Sequence, residues 1–199
     1  MIYAVLQLAK SWVLQEVVGL SGEVTAMRRM MLWAVMGLAP TAVLGQAASS
    51  ANPLAAEVQG RYTAVKGFIL KAADNMPAEN YSYKPTPDIR TFARVVNHVT
   101  EAQNRSCGAL NGVSDAKPAP PETADKATIV DALKASFAEC DKAFSGLTDA
   151  TLTEMVQAGP AKRSRIGIAW GTVTHDTEQY ATLALYMRLK GLVPPSSEK

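Results

Sequence analysis

His98 and His175 are the only two histidines in this chain of 199 residues, and each lies in a stretch with helical periodicity. Imidazole nitrogen binds zinc, nickel and iron, and a helical bundle can collect such ligands from facing helices. Gln179 follows His175 by four residues, so the two project from one side of a helix. Together, His98, His175 and Gln179 are the candidate ligands of one divalent metal, with water able to complete the set. Two histidines alone are a weak signal, because an inward histidine is more often a core residue with satisfied hydrogen bonds. A di-iron centre fits less well. His98 with Glu101, and His175 with Glu178, are spaced His-x-x-Glu, whereas carboxylate-bridged di-iron bundles use Glu-x-x-His. Glu57 and Glu139, the carboxylates needed from two other helices, fall off the apolar stripes of their segments.

Four helices must position these residues. Leu54, Val58, Tyr62, Val65, Ile69, Ala72 and Met76 recur at three- and four-residue steps and form one apolar stripe, which Pro77 ends. A second helix starts near Thr91 and carries Phe92, Val95, Val96, Val99, Ala102, Ser106 and Leu110, with Asn111 and Gly112 as its stop. His98 lies on or beside that face. A third opens near Asp125 and shows Ile129, Leu133, Phe137, Cys140, Phe144 and Leu147. The fourth begins between Ile166 and Thr172 and runs to Lys190, where Gly191 and the Pro194–Pro195 pair close it. The stretch 147–165 has weak strand or turn character, broken at Gly159 and Pro160, and is left unassigned.

The pattern is all-α, a four-helix bundle. The proline-rich connection 113–124 is longer than a helical hairpin needs and can run back the length of a helix. Two such long crossover connections favour an up-down-down-up order over a simple meander. Cys107 comes late in the second helix and Cys140 late in the third. In an oxidising compartment they are candidates for one disulfide, which parallel helices would allow. Two separate buried thiols are the alternative.

The start of the chain reads as targeting rather than fold. Arg28 and Arg29 precede an apolar run from Met31 to Leu44, followed by small residues at Gly45, Ala47 and Ala48. The run is short for a membrane span, which needs about 20 residues, and Pro40 interrupts it. Residues 27–47 are therefore expected to be a cleaved signal peptide, leaving 48–199 as the bundle domain and no stable membrane span. The expected location is periplasmic or secreted. Residues 1–26 are expected to be an over-extended reading of the gene, with a native amphipathic or membrane-associated segment as the alternative. A formal charge of +2 gives no argument for nucleic acid as a partner.

The segments 90–103 and 175–180, with 185–197 after them, resemble the DinB-like family, and the resemblance extends from about Leu54 to Ser197. It implies a four-helix bundle with a divalent metal held by three histidines. One of these is on the second helix, and a His-x-x-x-His pair is on the fourth. His98 and His175 match the first two positions. Gln179 stands at the third, and Ala181 stands where the family usually has glycine. An amide oxygen is a weaker ligand than imidazole for zinc or nickel. The resemblance further implies thiol-dependent transferase or isomerase chemistry, and frequent dimers. Export suits a metal-assisted hydrolase better, because small thiol cosubstrates are mainly cytosolic. A non-catalytic bundle that binds metal or a small ligand is the alternative, and the substrate is not identified by any residue.

Overall fold

The structure, a computed structural model, describes residues 51–199. The expected leader and the segment before it, residues 1–47, lie outside the described residues. Four helices account for most of the rest: α1 (Pro53–Asn75), α2 (Phe92–Leu110), α3 (Lys126–Ser145) and α4 (Arg165–Leu189). Among the described residues no helix is long and apolar enough to cross a membrane.

Side-chain caps set three of the helix starts. Thr91 accepts from the Arg94 amide (3.0 Å), Asp125 from that of Thr128 (2.8 Å) and Ser164 from that of Gly167 (3.2 Å). The last cap corrects the expected start of α4, which begins at Arg165 rather than between Ile166 and Thr172. Gly167 permits it, since a Cβ there would lie 2.9 Å from the capping Ser164 Oγ. Most positions of the apolar stripes pack into one core, but Ala102 and Ser106 are half-buried and border a cavity, and Leu54 turns out to solvent. Leu54 is 59% exposed although Ala55 beside it is fully buried; the backbone amides of both donate to Asp149.

The stretch left unassigned holds a small antiparallel hairpin, β1 (Met155–Ala158) and β2 (Ala161–Ser164), turning at Gly159 with φ 63°. β1 alternates exposed and half-buried positions over only four residues, too few to read from sequence, and β2 is mostly exposed. Their pairing is decided by the turn and by the α4 cap that follows directly.

Cross-links between helices show their relative directions. Gln103 meets Ser136 and, one turn further along both helices, Cys107 is bonded to Cys140, so α2 and α3 run the same way. The connector between them returns alongside α2. Its Lys117 carbonyl accepts from Asn104 and its Pro120 carbonyl from Asn97. Across α2 and α4, His98 faces His175 while the Tyr186 hydroxyl donates to the Arg90 carbonyl, an antiparallel register. Across α1 and α3, Gln59 reaches the Phe144 carbonyl and Lys126 reaches that of Asp74, also antiparallel.

The Cys107–Cys140 bond closes a loop with a sequence separation of 33. Restricting the unfolded chain by a loop of that length is worth roughly 3–4 kcal/mol in the chain-entropy description. Cys107→Ser/Cys140→Ser should therefore lower unfolding free energy by about that amount. Urea denaturation of the two proteins checks it, and unchanged stability would show the bond to be absent or without effect.

Candidate metal centre

α2 and α4 cross so that His98 and His175 meet. Their Nε2 atoms are 3.1 Å apart, the rings inclined at 65°. Each imidazole is about a quarter exposed, at 23% and 26%. The outer side of each ring faces a carboxylate. His175 Nδ1 is 3.3 Å from Asp176 Oδ1, and His98 Nδ1 is 3.9 Å from Glu101 Oε2, too long for a direct hydrogen bond. Arg94 grips Glu101 with two hydrogen bonds of 3.1 and 3.0 Å and so fixes its position.

Asp176 is fully buried. Burial pushes its carboxyl above the ordinary carboxylate range, and its bonds to His175 and Gln103 oppose that shift. Gln103 Nε2 donates to Asp176 Oδ2 (2.8 Å), which turns Gln103 Oε1 toward the Ser136 hydroxyl (2.7 Å). A polar chain thus runs from α3 through α2 to α4 and ends at the histidine pair. Burial, then the guanidinium of Arg90, then His175 and Arg94, hold His98 below its ordinary pKa, with Glu101 opposing.

The donor set fits a shared cation. Asp176 beside Nδ1 of His175 favours the proton on that nitrogen and so a lone pair on Nε2; Glu101 favours the same in His98 only through its charge, at 3.9 Å. If both Nε2 atoms carry lone pairs, 3.1 Å apart, a cation between them would relieve their repulsion. Metal–nitrogen bonds of about 2.05 Å would subtend about 100° at that separation, an angle suited to neighbouring ligands of one ion. The same distance also serves an N–H···N hydrogen bond if one ring carries its proton on Nε2.

Gln179 lies one turn beyond His175 on α4, half-buried, while Glu178 is exposed. Among the described residues no group of three or more His, Cys, Asp or Glu is placed to hold a metal, so no third ligand of those types joins the two histidines. Glu57 is exposed, and Glu139 pairs with Lys142. The Tyr62 hydroxyl lines no pocket beside the histidines; it is held by Asp141 (2.7 Å) and the Phe137 carbonyl.

Sequence reasoning missed Asp176, Gln103 and Ser136. One signal was available: Ala169, Val173, Asp176, Tyr180, Leu183 and Met187 repeat at three- and four-residue steps on the buried face of α4, so an acid sits within an apolar stripe.

The DinB superfamily model matches residues 62–183. A DinB-like protein from Bacillus cereus is similar in fold, with TM-score 0.59 and 20% identity over 69% of this chain and 93% of that one. A DinB-like protein from Bacillus subtilis gives TM-score 0.54 and 13% identity over 68% and 92%. A conserved protein from Enterococcus faecalis gives 0.55 and 13% over 68% and 96%. No curated protein matches.

Gln103→Leu strands a buried acceptor, a change that typically costs about 1–3 kcal/mol. Adding Asp176→Leu should recover part of that loss, because both polar partners are then gone. Chemical denaturation of the single and double variants measures the recovery; a neutral Gln103→Leu would show that the network does not support the fold.

Proposed function

We propose, on the premise that this chain belongs to the DinB superfamily, that His98, His175 and Gln179 hold one divalent metal ion in an exported, metal-dependent hydrolase or transferase of a small molecule. The observation that carries this reading is the pair of Nε2 atoms 3.1 Å apart, each ring backed by a carboxylate on its far side. When bound, zinc, nickel or iron would act as a Lewis acid toward a substrate oxygen.

The chain's own residues supply orientation. Asp176 holds the His175 tautomer with Nδ1 protonated, and Gln103 holds Asp176. Glu101, fixed by Arg94, presents a carboxylate on the Nδ1 side of His98. A cavity of about 360 Å³ opens beside His175, within the size range of small-molecule sites. Gln179 contributes at most a neutral amide oxygen, a weak third ligand that leaves room for water or substrate. Support for export comes from the Cys107–Cys140 disulfide, which persists in oxidising compartments, together with the leader pattern at residues 27–47.

A second reading is favoured by Gln179 itself. With two imidazoles and one amide, the same pocket suits a bundle that binds metal or a small ligand without turning it over.

Elemental analysis of protein purified without a histidine tag tests the site. One metal per chain is expected, absent from His98→Ala and His175→Ala and bound at least about tenfold more tightly by Gln179→His. Metal-free protein, with no binding gained in Gln179→His, would overturn the proposal.

A further inference from the structure

The cavity beside His175 is built by two facing helix stripes and the hairpin. On α2, Ala102 and Arg105 follow His98 at four and seven residues, on the same side of the helix. On α4, Gly171 and Ile168 precede His175 by four and seven residues. The β1–β2 hairpin adds Arg163, whose guanidinium lies over Gly171: a Cβ built there would be 3.7 Å from Arg163 Nη2. That close approach is one turn, about 6 Å along the axis, from His175.

The charge of this cavity is uncompensated. Arg94 and Arg165, nearby on the same two helices, are paired with Glu101 and Glu154. Among the described residues, Arg105 and Arg163 pair with no carboxylate. Arg163 makes only a long bond of 3.3 Å to the Gly167 carbonyl. No acidic residue lines the cavity. Its remaining walls are largely apolar, and the Thr172 and Ser106 hydroxyls donate to carbonyls of their own helices.

We infer that this cavity binds a small organic anion, its carboxylate or phosphate held by Arg105 and Arg163 and its apolar body directed along α4 toward the histidine pair. Guanidinium groups recognise both anions through paired N–H donors. This deepens the proposed function by naming its substrate class, and rests on it only for what happens at the end nearest His175.

Calorimetric titration of the full chain tests it with three probes sharing one apolar body: benzoate, phenyl phosphate and neutral benzamide. At least one anion should bind about tenfold or more tightly than benzamide. Binding should weaken as salt rises. Arg105→Gln and Arg163→Gln, verified as folded by circular dichroism, should each weaken it by about tenfold. Whichever of benzoate and phenyl phosphate binds better identifies the carboxylate or the phosphate as the recognised group. His98→Ala, at a residue that does not line the cavity, should lose metal yet keep arginine-dependent anion binding, so failure of the metal site would leave this result intact. Equal binding of benzamide, no binding of either anion at millimolar concentration, or wild-type affinity in both arginine variants would overturn the inference.

Discussion

A carboxylate without access to water has to find its hydrogen bonds inside the protein, and Asp176 does so at the centre of this bundle. An uncompensated buried charge costs several kcal/mol, more than a single apolar contact returns. Gln103 from α2 meets that need, and its own carbonyl is met by Ser136 from α3. Three helices are thereby held in one register. The disulfide lies one turn along from the Gln103–Ser136 contact, so a polar bond and a covalent bond fix the same pair of parallel helices.

The histidine site depends on this arrangement. Asp176 reaches His175 through Oδ1 while its other oxygen is held by Gln103, so the ring that faces His98 is supported from within the core. On the opposite side, Glu101 is exposed enough to need its own anchor, and Arg94 supplies one. The two imidazoles therefore differ in what stands behind them: a buried acid for His175, and a surface ion pair for His98. Opening from the same site, the arginine-lined cavity takes its floor from α2 and α4 and its side from the hairpin. The hairpin is placed by backbone bonds that join Glu154 and Leu152 to the first residues of α4.

Much of the fold was legible in the chain. Four apolar stripes gave four helices. Thr91 and Asp125 marked starts that the structure shows as side-chain caps. The late positions of Cys107 and Cys140 left a bridge and two separate thiols open; the structure has the bridge. What escaped was short or non-local. The hairpin strands have four residues each and are mainly exposed, too little for periodicity to register. Leu54 follows the period of its stripe yet is exposed; a period specifies a direction and not whether a neighbour covers it.

The candidate ligands divide the same way. Sequence alone determined that His98 and His175 are the only imidazoles, that His98 lies on or beside an apolar face, and that Gln179 occupies the position one turn beyond His175. These are matters of residue type and helical spacing, which act locally. Only the tertiary structure decided that the two rings meet at Nε2 and that Asp176 stands behind one of them. It alone also brought Arg105 and Arg163 to one cavity. The two rings are 77 positions apart and the two arginines about 60, and helix crossing brings each pair together; Asp176 is next to His175 in sequence, and its place is set by how a buried charge is satisfied.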